Sequence, residues 1–189
     1  MFIEPNIKGE RRGWIEIICG SMFSGKTEEL IRRLKRSEMA HLKVEIFKPA
    51  IDIRYHGQNI VSHDENAIFS NPVDNSQNIL LLADRADVIG IDEAQFFDGQ
   101  LPNICDQLAL LGKRVIVAGL DLDYTGKPFG PMPILLAQAE FITKLHAICV
   151  KCGNIANYSF RKITGDSQVL LGDKEWYEPR CRICFNTEK

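Results

Sequence analysis

The residues from Gly20 to Thr27, Gly-Ser-Met-Phe-Ser-Gly-Lys-Thr, have the types and spacing of a loop that binds nucleotide phosphates. They match the pattern Gly-x-x-x-x-Gly-Lys-[Ser/Thr] at every fixed position, between an apolar run and an amphipathic helical pattern. In such a loop successive backbone N–H groups and the following helix N-terminus face the phosphates. Lys26 is predicted to reach the β- and γ-phosphates, and the Thr27 hydroxyl to bind magnesium. The predicted cradle comprises Gly20, Ser21, Met22, Phe23, Ser24 and Gly25. The alternative is a glycine-rich turn before an ordinary helix.

Two acids, Asp92 and Glu93, end a second apolar run, Val88–Ile91. In a parallel sheet such strand ends face the ligand crevice. Asp92 fits the acid that holds magnesium, and Glu93 is then available to act on the proton of a nucleophile. That nucleophile could be water, giving ATP hydrolysis, or a substrate hydroxyl, giving phosphoryl transfer. The alternative is a pair of solvated acids.

Four of the six cysteines form the pairs Cys149-x-x-Cys152 and Cys181-x-x-Cys184, separated by 28 residues. This pattern predicts one structural zinc held by four thiolates, with a long loop tied at its base by the metal. Four cysteines leave no open position for a catalytic water. The alternative is two unrelated pairs of thiols. Cys19 and Cys105 fall in apolar patterns and are predicted to be core residues.

The elements that must position these side chains alternate between strand and helix, which predicts an α/β fold with a parallel sheet and helices on both faces. We expect a tail over 1–13, a phosphate-binding domain over 14–148 and a zinc-binding subdomain over 149–189. The expected strands cover 14–19, 44–47, 88–91, 115–118 and 142–148. The expected helices cover 28–40, 76–83, 101–111 and 131–139. Residues 52–66 are predicted to form a mobile loop, and residues 120–130 a further loop.

Composition narrows the function classes. The chain has 189 residues, 45% hydrophobic and 25% charged, with a formal net charge of −2. Such a balance gives no overall basic field for nucleic acid. The basic run 32–36 is interpreted as a solvated helix face rather than a nucleic-acid patch. No stretch approaches the ~20 apolar residues of a membrane span, and residues 1–13 do not resemble a signal peptide. We therefore expect a cytoplasmic protein with neither a membrane nor a nucleic-acid partner.

Aromatic residues follow the expected strand ends on the ligand side, in 94–97 and in the loop 120–130. Aromatic faces at a phosphate crevice suit a flat base. The alternative is that Phe96, Phe97 and Phe129 fill the core.

Together the phosphate loop, the run 91–97, the run 119–130 and the two cysteine pairs resemble type II thymidine kinase, the zinc-containing class. The resemblance covers about 14–184. It implies transfer of the γ-phosphate of ATP to the 5′-hydroxyl of thymidine or deoxyuridine, with Glu93 as general base. It implies that Lys26, Thr27 and Asp92 hold ATP and magnesium, with Gln95 and Arg54 also on the nucleotide side.

The resemblance further implies that the loop between the cysteine pairs closes over the nucleoside. The implied nucleoside contacts are Met22, Phe96, Leu120, Tyr124, Phe129, Ser159, Leu170, Gly172 and Tyr177. Of these, Leu170, Gly172 and Tyr177 would grip the base through backbone groups. Relatives often have phenylalanine at Tyr124 and threonine at Ser159. A homotetramer and feedback inhibition by thymidine triphosphate are also implied.

Two other functions remain open from the residues themselves. One is a zinc-ribbon, phosphate-loop ATPase that acts with nucleic acid, and the other is a nucleotide-binding regulatory module without turnover. The first is disfavoured by the acidic balance and the long gap between the cysteine pairs. Dependence of ATP consumption on thymidine or on DNA would distinguish the kinase from this ATPase.

Overall fold

The computed structural model describes residues 13–51, 59–61, 67–163 and 175–187. Arg54, Leu170 and Gly172 lie outside these ranges. The strands are β1 (Trp14–Cys19), β2 (Val44–Pro49), β3 (Asn59–Val61), β4 (Ala67–Phe69), β5 (Asn71–Val73), β6 (Val88–Ile91), β7 (Arg114–Gly119), β8 (Phe141–Lys144), β9 (Ala147–Ile148), β10 (Ile155–Ala156), β11 (Tyr158–Arg161) and β12 (Tyr177–Arg180). The α-helices are α1 (Lys26–Met39), α2 (Ser76–Leu82), α3 (Leu101–Leu110), α4 (Met132–Gln138) and α5 (Arg182–Thr187), and Ala94–Phe96 forms a short 3-10 helix.

The central feature is a six-stranded sheet in the order β5-β2-β6-β7-β1-β8. Each adjacent pair in it is parallel. Because side chains alternate along a strand, Ile15, Ile17 and Cys19 of β1 face a core built with α2, α3 and α4. Ile18 faces the opposite core, which is built with α1. The predicted fold, a parallel sheet with helices on both faces, is confirmed, and Cys19 and Cys105 are buried as predicted.

Two predicted segments differ from the structure. The single strand expected over 142–148 is two strands, because β8 pairs with β1 while β9 pairs with β10 in a separate sheet. At the break, Leu145 N donates to Cys19 O at 2.8 Å, which is the last contact of this segment with β1. Within the expected mobile loop, Asn59–Val61 is instead a strand paired antiparallel with Ala67–Phe69. The rest of that loop lies outside the described residues.

The interpretation of 32–36 as a solvated face was wrong for Arg33. Arg32, Lys35 and Arg36 are exposed, but Arg33 is fully buried on the face of α1 that covers the sheet. Its guanidinium donates to Glu16 at 2.8 Å and to Thr143 at 2.8 Å. The sequence offered no local signal for this burial, because the partners lie on β1 and β8.

The cysteine pairs lie in a smaller part of the chain that follows the six-stranded sheet. It consists of the hairpin-like pairs β9–β10 and β11–β12 together with α5. We call residues 147–163 and 175–187 the cysteine unit. Among the described helices, none combines the length and apolar character needed to cross a membrane.

Candidate active site

The phosphate loop joins the carboxyl end of β1 to the start of α1. Gly20 and Gly25 have φ angles of 147° and 86°. At Gly20 an added Cβ would lie 2.2 Å from Leu145 O, so a larger residue would collide with the backbone after β8. No side chain caps the start of helix α1, and the start of a helix attracts a phosphate through its N–H groups. The local backbone is thus shaped for an anion.

Two polar groups of the loop face inward. Lys26 Nζ donates to Ser21 O at 2.8 Å, within the loop itself. The Ser24 hydroxyl is buried and has no hydrogen-bond partner among the described residues. A buried unsatisfied hydroxyl is costly unless a ligand supplies its partner. A phosphate oxygen in the loop would supply one.

The structure brings Thr27 and Asp92 together at the ends of β1 and β6. The Thr27 hydroxyl donates to Asp92 Oδ2 at 3.2 Å, and the Glu93 N–H donates to Asp92 Oδ1 at 2.9 Å. Asp92 is 5% exposed. A hydroxyl and a carboxylate at this separation are both hard oxygen ligands of the kind that magnesium prefers. Burial lowers the pKa of Lys26, while the charges of Glu93, Asp92 and Asp121 oppose that shift.

Glu93 begins the short 3-10 helix in an unusual backbone conformation. Its φ of 52° lies in the left-handed region, which costs about 1–3 kcal/mol for a residue other than glycine. Its carboxylate accepts a hydrogen bond from Gln95 Nε2 at 2.5 Å, and Gln95 Oε1 accepts one from Leu120 N at 2.9 Å. Buried Gln95 therefore connects the acid to the loop after β7 and orients the carboxylate.

The loop 120–130 is ordered by Asp123. This buried carboxylate accepts hydrogen bonds from Thr125 N, the Thr125 hydroxyl and Lys127 N at 2.7–3.0 Å. The Phe96 and Phe129 rings lie edge to face, with centroids 5.6 Å apart. Phe96 is only partly buried, so part of its side chain remains accessible.

Phe129 is 7% exposed and Phe97 is 7% exposed, and Phe97 belongs to the apolar core beneath α3. For Phe97 the core-filling alternative is therefore correct.

Residues of the cysteine unit complete the crevice. Ser159 Oγ accepts a hydrogen bond from Met22 N at 3.0 Å, which places these two predicted contacts side by side. Tyr177 is buried, and its hydroxyl accepts from the Arg161 guanidinium at 3.0 Å. The Cζ atom of Arg161 lies 3.6 Å from the ring centroid of Tyr124. Tyr124 and Tyr177 thus share one cation.

The four thiols of the cysteine pairs form one cluster. Their Sγ atoms all lie within 4.8 Å of one another. Four sulfurs at about 2.3 Å from a tetrahedral metal stand about 3.8 Å apart, so the cluster fits such an ion. Burial opposes ionisation of Cys149, but N–H groups of Cys181, Cys152 and Lys151 outweigh it and lower the pKa of Cys149 to about 6. That thiolate would be available to a metal at neutral pH.

Comparison with known proteins identifies the family to which these features belong. Residues 13–185 match the family model described as thymidine kinase. The chain belongs to the thymidine kinase family. It is 62% identical over 175 residues to a thymidine kinase of Porphyromonas gingivalis, covering 93% of this chain and 86% of the relative. It is 59% identical over 186 residues to a thymidine kinase of Bacteroides fragilis, covering 98% of this chain and 94% of the relative.

A solved structure supports the fold alone. The flagellar accessory protein FlaH from Methanocaldococcus jannaschii superposes with a TM-score of 0.52 at 14% identity, covering 79% of this chain and 77% of that one. The family predicted from the motifs is confirmed by the family model and the sequence relatives.

Two contacts at this thymidine kinase site were not predicted from the sequence. Asp121 pairs with Lys144 at 2.7 Å, and its other oxygen, Oδ1, is buried without a partner among the described residues. Arg161 is 8% exposed between two tyrosines. Asp121 could have been found, because it follows β7 as Asp92 follows β6. Arg161 had no such signal, since its partners, Tyr124 in the loop after β7 and Tyr177 on β12, are distant in the chain.

Proposed function

We propose that this chain transfers the γ-phosphate of ATP to the 5′-hydroxyl of thymidine or deoxyuridine, giving the monophosphate for nucleotide salvage. One observation supports this most strongly: Lys26 and Thr27, at the start of α1, converge with Asp92 and Glu93, which follow β6, in a chain of the thymidine kinase family. Membership of the family favours a nucleoside hydroxyl over water as the acceptor.

Lys26 and the loop would bind the donor phosphates. When ATP enters, the ammonium group would exchange its contact with Ser21 O for the phosphate oxygens. Backbone N–H groups of residues 20–25, apart from that of Met22, which donates to Ser159 Oγ, would supply further donors together with the hydroxyl of Ser24. Gln95 and Arg54 were predicted on the same side. Gln95 would also orient Glu93, because it bonds both the Glu93 carboxylate and Leu120 N.

Thr27 and Asp92 would hold magnesium, either directly or through water. A magnesium ion held there would neutralise the charge that develops during transfer. The observed bond between Thr27 and Asp92 keeps both ligand oxygens on one side of the loop before the ion arrives. The Glu93 N–H bonded to Asp92 Oδ1 fixes the carboxylate plane.

Glu93 would accept the proton of the 5′-hydroxyl. Its bond from Gln95 and its left-handed backbone hold the carboxylate at the crevice, where it is partly exposed to an incoming hydroxyl. A positioned base of this kind contributes about 10²–10⁴-fold to a rate. Most of the remaining acceleration would come from positioning and charge neutralisation.

The nucleoside would lie between the phosphate loop and the cysteine unit. The proposed contacts are Met22, Phe96, Leu120, Tyr124, Phe129, Ser159 and Tyr177, with Leu170 and Gly172 on the closing loop. The bond from Met22 N to Ser159 Oγ supports one side of this pocket, and Arg161 orients Tyr124 and Tyr177 on the other. One structural zinc on Cys149, Cys152, Cys181 and Cys184 would tie the base of the loop.

Several finer properties rest on the sequence analysis. We propose a division into a tail over 1–13, an ATP-binding domain over 14–148 and a zinc-binding subdomain over 149–189. We also propose a homotetramer, feedback inhibition by thymidine triphosphate and a cytoplasmic location.

An ADP-release assay tests the proposed reaction against the nucleic-acid-dependent ATPase. Purified protein with magnesium and ATP is measured alone, with thymidine and with single- or double-stranded DNA. The proposal predicts ADP release that rises with thymidine to saturation and ignores DNA. Release that is stimulated by DNA and unaffected by thymidine would contradict it and favour the ATPase.

A further inference from the structure

The phosphate loop is bonded to the cysteine unit before any ligand is considered. The Ser21 hydroxyl donates to Ala156 O at 3.4 Å, across 135 residues of chain. Met22 N donates to Ser159 Oγ at 3.0 Å, across 137 residues. Both donors belong to the variable positions of the loop rather than to its fixed glycines or Lys26. The cysteine unit therefore holds the part of the loop whose residue types the motif does not specify.

Phe23 makes a third connection. Its φ of 64° lies in the left-handed region, which a residue other than glycine keeps only when its surroundings hold it. The Phe23 side chain packs against the small buried cluster formed by Ala147, Cys149, Ala156 and Cys181. Two of those residues are members of the four-thiol cluster. The ring thus packs against a cluster that includes two of the proposed metal ligands.

We propose that the cysteine unit positions the phosphate loop for the donor nucleotide, with Ser159 and Phe23 as positioning residues, and that metal binding by the cysteines strengthens nucleotide binding in the absence of nucleoside. This inference rests on the proposed ATP site. It adds a role at the donor end to a unit whose expected task is to cover the nucleoside. Ser159 acts through the backbone of Met22 and need not touch the nucleotide.

The physical argument is preorganisation. A phosphate binds a loop most tightly when the N–H groups already point inward, because binding then does not have to order the loop. The Ser159 hydroxyl accepts a hydrogen bond from the Met22 N–H and fixes the plane of that peptide. The cluster against which the Phe23 ring packs keeps Phe23 in its left-handed conformation. A metal that holds Cys149 and Cys181 in place would also hold the cluster against which Phe23 packs. By linkage, nucleotide would then raise metal affinity by the same factor.

Titration calorimetry of the metal-loaded protein with ADP and magnesium, without nucleoside, tests the positioning role. Ser159→Ala removes the acceptor of the Met22 N–H, and we expect ADP to bind about 5–10-fold more weakly. Ser159→Thr keeps a hydroxyl and should stay within about twofold of the unsubstituted protein. Thr187→Ala is the matched control, because it removes a hydroxyl that donates only within α5, to Ile183 O. It should leave ADP affinity unchanged.

Amide hydrogen exchange without nucleotide provides a second readout. In Ser159→Ala and in Phe23→Ala, peptides covering residues 20–25 should exchange faster, while β1 should stay protected as in the unsubstituted protein. Chelating the metal should speed exchange in the same loop and weaken ADP binding.

A contrary set of results is equally clear. If Ser159 serves only the nucleoside pocket, Ser159→Ala would raise the KM for thymidine while ADP affinity and loop exchange stay unchanged, and this would overturn the inference. In that case thymidine-dependent ADP release would persist, and the proposed function would survive. If the unsubstituted protein bound no ADP at all, both the proposed function and this inference would fall.

Discussion

Replacing Arg33 by glutamine removes a charge that is buried in the interior. The preceding residue, Arg32, is exposed to solvent. The Arg33 side chain is 0% exposed, and it donates to Glu16, Glu29 and Thr143, each at 2.8 Å. Glu16 is also 0% exposed and would keep only Arg114 as a charged partner, at 2.6 Å. Breaking a buried pair by removing one partner costs about 3–5 kcal/mol.

Arg32 provides the control within the same helix. Its side chain is 49% exposed and pairs with Glu29 three residues earlier. An exposed pair of this kind contributes about 0–1 kcal/mol. Arg32→Gln and Arg33→Gln make the same chemical change at adjacent positions, so helix propensity and net charge cancel in the comparison. The difference between them reports burial of the charge.

Urea unfolding followed by circular dichroism measures the difference. With an m value of about 2 kcal/mol/M, Arg33→Gln should lower the midpoint by roughly 1.5–2.5 M, and Arg32→Gln by less than about 0.5 M. The measurement is made without nucleotide, because a bound ligand would mask the loss. Equal and small shifts for the two variants would refute the argument that the buried network with Glu16 holds α1 on the sheet.

Three further outcomes follow from the site. Glu93→Gln should keep ADP affinity but lower kcat by about 10²–10⁴-fold, and near-normal turnover would remove its role as the base. Cys152→Ser should lose bound zinc, measured by atomic absorption, and raise the KM for thymidine, whereas an unchanged KM with zinc lost would separate the metal from the nucleoside loop. ATP should bind best while Lys26 is charged. Since burial lowers its pKa below the ordinary 10.5, affinity should decline with rising pH earlier than for Lys26→Arg, whose guanidinium stays charged.

Local signals located the elements that carry the proposed donor half of the site. The phosphate loop carries its own backbone requirements, and its position between an apolar run and a helical pattern located β1 and α1 to within two residues. Asp92 and Glu93 were predicted because parallel strands end at one edge, and β6 has the bounds expected for it. Within the phosphate loop, and within the pair Asp92 and Glu93, sequence neighbours are also neighbours in space.

The features that were not predicted depend on partners distant in the chain. Arg33 looked like a surface residue because Glu16 and Thr143 are 17 and 110 residues away. The run 142–148 looked like one strand because apolar residues recur along it, although the chain changes sheets after Lys144. Arg161 lies between Tyr124 and Tyr177 because β11 pairs with β12 and the loop after β7 packs beside that pair. Periodicity and motif spacing carry no information about contacts between residues so distant in the chain.

Chromatography of the products formed from γ-labelled ATP, magnesium and thymidine tests the proposed function most directly. The proposed reaction predicts label on thymidine monophosphate, no such product without thymidine, and loss of the product in Glu93→Gln. Label appearing only as free phosphate, at the same rate with or without thymidine, would contradict it.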